Sequence, residues 1–346
     1  MSSSDRASQP AARGRVNGRF RWTMATVLTF AAWLGSASAQ QRASGFDVAR
    51  LYLTPPGAGW FVMDGLDWPS ALGGAVSLTA GYSRNPLRVR TPDGLQRLVV
   101  VSDLSVADFG FAATYDRFRL SLAFDWILDV DGSSGTVGRY AFTAPTTGLP
   151  LTASGVNPST APDALGDVRI GIDVRLLGRA SSAFRLGAGA QLFIPSPNTS
   201  RREYVTDGTY RGMLRLLFAG DAGPLSYAAQ MGVHLRPLDD ASAPGSPEGS
   251  EFLFGLAART TLALGEATSL SIGPELYGES AIRALFGSAT GVEALLTSQF
   301  ERTTGGGARA RIKLGAGGGL DSRFGAPAWL AVVAVEVLGQ KKGAAW

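Results

Sequence analysis

Apolar and polar residues alternate along most of the chain from about residue 74 onward. Between residues 118 and 130 every even position is apolar, whereas the odd positions include Arg119, Asp125 and Asp129. Successive side chains of a β-strand point to opposite faces, so this pattern predicts strands with one apolar and one polar face. Twelve such strands are predicted, at 74–83, 103–115, 118–130, 166–177, 184–194, 208–220, 225–236, 251–264, 269–279, 291–300, 307–318 and 328–338.

The predicted strands are long enough to cross a membrane, since a tilted transmembrane strand needs about 9–11 residues. The connections between them alternate between short turns and long loops, with 84–102 and 131–165 among the long ones. This alternation is typical of outer-membrane barrels, which have short periplasmic turns and longer extracellular loops. We do not assign residues 95–101, which fit either an extra strand or an extended loop.

A soluble β-sandwich is the alternative fold, but its strands average about 5–6 residues and its loops need not alternate in length. A sheet in hydrocarbon must also close on itself, because an open edge leaves backbone hydrogen-bonding groups unpaired. We therefore predict an all-β fold, a transmembrane antiparallel up-and-down β-barrel of about 12 strands that spans residues 74–346.

The first 39 residues have the order of a secretory signal peptide. A polar region rich in arginine precedes the apolar run 23–35, and small residues follow at 36–39. The apolar run is too short for a membrane-spanning helix, which needs about 20 residues. We expect cleavage after Ala39. Residues 40–73 lack alternation, and we expect either a periplasmic extension or a segment at the barrel mouth.

Composition narrows the possible chemistry. The chain has 32 basic and 28 acidic residues, one histidine and no cysteine. Residues 1–39 carry the whole excess of four positive charges, which leaves the remainder neutral and gives no indication of nucleic-acid binding. The lack of cysteine and the single histidine exclude disulfides, thiolate or multi-histidine metal sites and a cysteine nucleophile. We expect no enzymatic activity, no metal and no cofactor.

The polar face of the predicted strands is expected to point into the barrel. Charged groups placed there must be solvated or paired. Small residues share this face, among them Gly187, Gly255 and Gly315, and glycine either keeps a lumen open or makes room for other side chains. The candidate lumen-lining residues are Arg119, Asp125, Asp167, Arg169, Asp173, Arg175, Arg185, Arg211, Arg215, His234, Arg236, Arg259, Glu275, Arg309, Arg311 and Lys313.

These charges suit two different interiors. A ladder of basic groups such as Arg309, Arg311 and Lys313 favours the passage of small anions or zwitterions through a pore. Alternatively, basic and acidic groups on neighbouring strands pair and close the lumen. A barrel of twelve strands is compatible with both, because it lies between filled eight-stranded barrels and open porins.

His234 is a candidate for acid–base catalysis. It lies on the interior face of its predicted strand, near the extracellular rim, and Asp239 and Asp240 follow in the next loop. A catalytic histidine needs a carboxylate within hydrogen-bond reach and access to substrate. The inward orientation does not suit a site that faces lipid, and a structural role is the simpler interpretation.

The chain resembles the amino-terminal barrel region of outer-membrane proteins of myxobacteria and other deltaproteobacteria that are assigned to the OmpA family. The resemblance is carried by short motifs at 46–50, 82–87, 165–169, 319–321 and 324–327, together with Pro55 and Pro56. It implies an outer-membrane barrel. Those proteins commonly continue into a peptidoglycan-binding domain, whereas this sequence ends at Trp346, and we expect no cell-wall binding.

Taken together, the sequence predicts a protein of the outer membrane of a Gram-negative bacterium, acting as a porin-like passive channel for small polar or anionic solutes. The alternative is a non-conducting structural or surface-contact barrel that meets its partners through loop 131–165. The expected partners are outer-membrane lipid, the barrel-assembly machinery and small polar solutes.

Overall fold

The computed structural model describes residues 41–91, 93–95, 97–145, 151–152, 155–156, 165–196, 204–238, 246–305, 307–320 and 325–340. The predicted signal peptide and the pair Asp239 and Asp240 lie outside the described residues. Within the described ranges, no helix is long and apolar enough to cross a membrane. Helical structure there is limited to one short 3₁₀ turn, Ile282–Ala284.

Twelve antiparallel strands form a closed barrel, which confirms the predicted fold. They are β1 (Gly73–Arg90), β2 (Arg97–Tyr115), β3 (Phe118–Asp131), β4 (Leu165–Leu177), β5 (Arg185–Ile194), β6 (Arg211–Ala222), β7 (Leu225–Leu235), β8 (Glu251–Ala263), β9 (Thr268–Ala281), β10 (Thr290–Thr303), β11 (Arg309–Gly319) and β12 (Trp329–Gln340). Each strand pairs with its neighbour in the chain, and β12 pairs with β1 to close the sheet.

The prediction of a long loop at 84–102 is wrong. β1 continues to Arg90 and β2 begins at Arg97, so these two strands form a hairpin that extends beyond the rest of the barrel. Residues 97–101, within the segment that we did not assign, belong to β2. The register shifts between Arg84 and Arg88, which accounts for the break in alternation that obscured the strand. Elsewhere, strand ends lie within three residues of their predicted positions.

The outer surface of the barrel is apolar and the inner surface is polar. Large apolar side chains such as Leu120, Ile172, Leu214 and Leu256 are each roughly half exposed on the outside. A soluble monomer rarely exposes an apolar surface of this extent, whereas a barrel in lipid requires one. Tyr82 packs on Trp329 on the outside, close to the long-loop end, where an aromatic residue suits the membrane interface.

The long loops and the short turns lie at opposite ends of the barrel. Short turns connect β2 to β3, β6 to β7 and β8 to β9, and β1 begins at the same end. At the other end, the loop between β3 and β4 contains the small strands Gly135–Val137 and Tyr140–Phe142, and the short strand Gln41–Arg42 pairs with the second of them. Two further short strands in this loop, Leu151–Thr152 and Gly155–Val156, pair with each other.

Candidate functional site in the barrel lumen

The lumen is occupied by the chain itself. Residues 43–72, which we call the inner segment, run from the long-loop end, where Ala43 bonds to Ala141, to the short-turn end, where the Ser70 carbonyl accepts the Asp116 N–H. In its middle part Trp60, Phe61, Met63 and Leu66 are at most 2% exposed. The barrel wall therefore surrounds a packed polypeptide and not a water-filled channel.

The shape of the wall matches the inner segment at its glycines. A Cβ added to Gly255 would lie 2.3 Å from Cε of Met63, one added to Gly187 would lie 2.9 Å from Leu66, and one added to Gly315 would lie 3.0 Å from Phe61. At distances of about 3 Å or less, the neighbouring side chain would have to move to make room for the added atom. These glycines thus make room for apolar side chains of the inner segment and do not widen a pore.

Basic side chains of the wall bind backbone carbonyls of the inner segment. Arg175 donates to Leu66 O at 3.0 Å and to Trp68 O at 2.7 Å. The other donors, each between 2.6 and 3.1 Å from its acceptor, are Arg169 to Leu53, Arg259 to Gly59, Arg311 to Gly57, Lys313 to Trp60 and Arg236 to Asp47. Because the inner segment has few backbone partners within itself, these cations satisfy carbonyls that water cannot reach.

One carboxylate of the wall accepts hydrogen bonds from backbone N–H groups of the inner segment. Glu275, which is fully buried, accepts hydrogen bonds from Phe61 N at 3.0 Å and Val62 N at 2.8 Å, and a longer one from Met63 N at 3.3 Å. A carboxylate that receives several N–H groups is a strong acceptor. Glu275 thus fixes the turn of the inner segment, between the two ends of the lumen.

Ion pairs attach the charged residues of the inner segment to the wall. Asp64 pairs with Arg119, which also contacts Asp173 at 2.8 Å and lies over the ring of Trp68. Asp47 pairs with Arg211 at 2.7 Å. These pairs are almost completely buried, so removing one partner leaves an uncompensated charge in the interior.

Arg50 lies among three glutamate side chains near the long-loop end. Its guanidinium lies 2.6 Å from Glu251, 2.9 Å from Glu279 and 3.8 Å from Glu248. Glu248 lies in the loop before β8, where burial raises its pKa to about 8 even though Arg50 acts in the opposite direction. Glu248 is therefore expected to be mostly protonated at neutral pH.

Asp207 joins the inner segment to a second loop at the same end. It accepts the backbone N–H of Asp47 at 2.8 Å and two N–H groups of Arg236, each at 2.7 Å. Burial by itself raises the pKa of a carboxyl group, but the adjacent Arg236 holds the pKa of Asp207 well below its usual range. This carboxylate remains charged at all physiological pH values.

Several of the other predicted lumen residues contact the wall or a turn. Asp125 lies 3.3 Å from Arg169, Asp167 lies 2.6 Å from Arg211, and Arg215 lies 3.5 Å from Asp173. Arg185 binds Asp221 and carbonyls of the turn between β4 and β5, and Arg309 lies 3.7 Å from Glu301 at the short-turn end. These groups form the paired interior that was the alternative to an open pore.

His234 contacts an inner-segment aromatic residue and a carboxylate. Its ring packs edge-on against Tyr52 and lies beside Phe193, and its Nδ1 is 3.5 Å from Glu251. The side chain is completely buried, so no substrate reaches it in this structure. The contacts of His234 are those of a packed structural residue.

Sequence reasoning missed the partners that the inner segment supplies. Asp47, Arg50 and Asp64 are isolated charges in an otherwise largely apolar stretch, a pattern that could have indicated buried pairing. Asp108, which pairs with Arg169, is likewise a lone charge in an apolar part of β2. The basic partners on the wall were identified, but what they bind was not.

A small cavity remains between the inner segment and the wall. It has a volume of about 70 Å³ and is lined by Leu51, Leu53, Asp108 and Val332, among other residues. A cavity of this size holds only a few water molecules. In the described residues, no group of three or more His, Cys, Asp or Glu side chains is arranged to hold a metal ion.

Comparisons with known proteins find distant likenesses to solved structures and no family. No family model matches the chain and no curated protein matches it, so the OmpA-family resemblance is not confirmed. Among solved structures, an outer-membrane channel of Pseudomonas putida F1 is 14% identical, with 79% of this chain and 96% of that chain covered and a TM-score of 0.46. The toluene transporter TodX of Pseudomonas putida is 10% identical, with 87% and 99% covered and a TM-score of 0.38. We draw no functional conclusion from likenesses this distant.

Proposed function

We propose that this protein is an outer-membrane channel that its own inner segment closes in the resting state. The observation that carries the proposal is the way in which the inner segment is bound. Six basic side chains of the wall and adjoining loop donate to its backbone carbonyls, and Glu275 accepts its N–H groups. Each of these hydrogen bonds involves a charged group and contributes about 1.5–3 kcal/mol, so together they hold the inner segment in the lumen, and water can take over each bond when the segment leaves.

The solutes that we propose are small and polar, with anions favoured over cations. Displacement of the inner segment leaves Arg175, Arg259, Arg311 and Lys313 facing the cleared lumen. Within the described ranges, neither Arg175 nor Arg259 has a carboxylate within 4 Å, whereas Arg311 and Lys313 share Glu336 at 3.6 and 2.7 Å. Rings of basic groups of this kind favour anions in a pore.

The proposed location is the outer membrane of a Gram-negative bacterium. The apolar outer face and the closed sheet suit lipid, and export through the signal peptide at 1–39 followed by insertion by the barrel-assembly machinery is the route we propose. Outer-membrane lipid is then the permanent partner of the outer face.

Conductance in planar bilayers tests the proposal. The wild-type protein is compared with a variant that lacks residues 43–68, after both are shown to be folded barrels by their heat-modifiable migration in gels. We expect rare or no channel steps from the wild type and frequent steps from the deletion variant. Absence of steps from the folded deletion variant would overturn the channel proposal.

Selectivity is tested in the same deletion variant. Substituting Arg311→Glu together with Lys313→Glu is expected to shift the reversal potential in a salt gradient toward cation selectivity. Arg117→Glu, in an exposed short turn, serves as the control. Unchanged reversal potentials would show that Arg311 and Lys313 do not line the conducting path.

A non-conducting barrel is the second candidate, and the packed lumen is the observation that favours it. In that case the loops at the long-loop end carry the function, through contact with other molecules. The conductance of the deletion variant separates the two candidates. A channel conducts once the inner segment is removed, whereas a structural barrel is not expected to conduct.

A further inference from the structure

The two ends of the inner segment lie at opposite ends of the barrel. Ser70 bonds to Asp116 beside the short turn between β2 and β3, immediately before β1 begins. Gln41 and Arg42 instead pair with Tyr140 and Ala141, in the long loop between β3 and β4. The intervening residues meet the wall at every level, so the chain passes through the whole length of the lumen.

Residues 41–49, which we call the latch, are folded into the long-loop end. Phe46 and Val48 belong to one hydrophobic cluster with Val100 and Val101 of β2. Tyr204 and Leu238, from the loops after β5 and β7, also belong to this cluster. A backbone bond from Val48 N to Tyr204 O fixes the latch to the first of these loops. Three separate loops and an extended strand thus pack around the latch.

Charge reinforces this packing. Asp47 is bound by Arg211, by Arg236 through its carbonyl and by Asp207 through its N–H, and Arg236 also lies over the ring of Phe46. The contacts of the latch are therefore made with loop residues and strand ends at the long-loop end.

Outer-membrane barrels place long loops outside the cell and short turns in the periplasm. We infer that the inner segment enters this barrel from the extracellular end, and that the latch is the cell-surface part of the closure, whose release precedes opening. The location of the latch does not depend on the proposed function, whereas its part in opening rests on it.

Single cysteines test the location, since the natural chain has none that would interfere. Arg42→Cys is treated on intact cells with a maleimide that does not cross the outer membrane. Leu95→Cys, at the exposed tip of the hairpin between β1 and β2, is the extracellular control, and Glu266→Cys, in an exposed short turn, is the periplasmic one.

We expect Arg42→Cys and Leu95→Cys to react on intact cells and Glu266→Cys to react only after the outer membrane is permeabilised. If Leu95→Cys reacts on intact cells and Arg42→Cys does not, the latch lies elsewhere and the inference is overturned. Reaction of Glu266→Cys alone would reverse the orientation and overturn it equally.

Truncation of Phe46 tests the role of the latch in opening. Val62→Cys, in the packed middle of the lumen, reports opening through its rate of reaction with a small maleimide in purified protein. We expect Phe46→Ala to increase that rate at least tenfold, because a large side chain is lost from the cluster. Phe111→Ala, on the lipid-facing side of β2, is the matched control.

An unchanged rate in Phe46→Ala would overturn the role of the latch. The conductance of the variant that lacks residues 43–68 is a separate measurement, so this result would leave the channel proposal standing. Conversely, the deletion variant could show no channel steps while Phe46→Ala accelerates labelling. That result would support the role of the latch and overturn the channel proposal.

Discussion

Replacement of Glu275 by glutamine is expected to loosen the inner segment without changing its shape. The carboxylate accepts three backbone N–H groups, from Phe61, Val62 and Met63, at 3.0, 2.8 and 3.3 Å. A glutamine retains one oxygen and presents an NH₂ group where the second oxygen accepted two N–H donors. At least one buried donor is then left without an acceptor.

The size of the effect follows from these contacts. A hydrogen bond to a charged group contributes about 1.5–3 kcal/mol, and an unsatisfied buried donor costs about 1–3 kcal/mol. The two estimates describe the same lost interaction and are not added, so a loss of about 1.5–3 kcal/mol is expected. At about 1.4 kcal/mol for each factor of ten, the open fraction rises by roughly 10-fold to 150-fold.

Reaction of Val62→Cys with a small maleimide measures this change. When closing is faster than labelling, the reaction rate is proportional to the open fraction, as it is for proteolysis of transiently opened states. Glu266→Gln, an exchange of the same type in an exposed turn, is the matched control. Equal labelling rates in the Glu275→Gln and Glu266→Gln backgrounds would refute the role assigned to Glu275.

Three further predictions concern the same closure. Arg119→Met should lower the free energy of unfolding by about 3–5 kcal/mol, because Asp64 and Asp173 lose a buried partner. Urea unfolding in detergent measures this change, and Arg117→Met, at an exposed position, should change the free energy of unfolding little. In the Glu275→Gln background, whose open fraction is raised, a disulfide between Gly57→Cys and Ala75→Cys should suppress channel steps until it is reduced, since the two Cβ positions lie 3.8 Å apart. Equal conductance of this variant before and after reduction contradicts the prediction, and the positive φ of Gly57 costs the cysteine about 1–2 kcal/mol. Raising the pH from 7 to 9 should increase the open fraction about tenfold. The pKa of Glu248 in the closed state, about 8, exceeds its ordinary value, so the stabilisation that this residue gives is lost as the pH rises through 8. Glu248→Gln should abolish this pH dependence in the Val62→Cys labelling assay.

The barrel could be predicted because its determinants are local. Alternation with period two is visible within each strand, and it fixes both the strand and the face on which each side chain lies. For this reason the basic groups of β4, β8 and β11 were assigned to the interior from the sequence. The hairpin between β1 and β2 was missed where a register shift near Pro86 interrupts the alternation.

The contents of the lumen could not be predicted in this way. The inner segment has no periodic pattern, and its contacts join residues far apart in the chain, such as Phe61 with Glu275 and Arg50 with Glu251. A polar interior face is equally compatible with water, with paired charges or with a buried polypeptide, because each of these satisfies the same donors and acceptors.

The sequence by itself thus determined the barrel, its closure and the identity of many charged groups that face inward. Only the tertiary structure decided what those groups bind. Arg175, Arg259 and Lys313 hold backbone carbonyls of residues 43–72, and Gly255 and Gly315 receive the side chains of Met63 and Phe61. The physical reason is that strand pattern reports which side of a sheet a residue occupies, whereas occupancy of the enclosed space depends on a segment whose conformation is set by the wall around it.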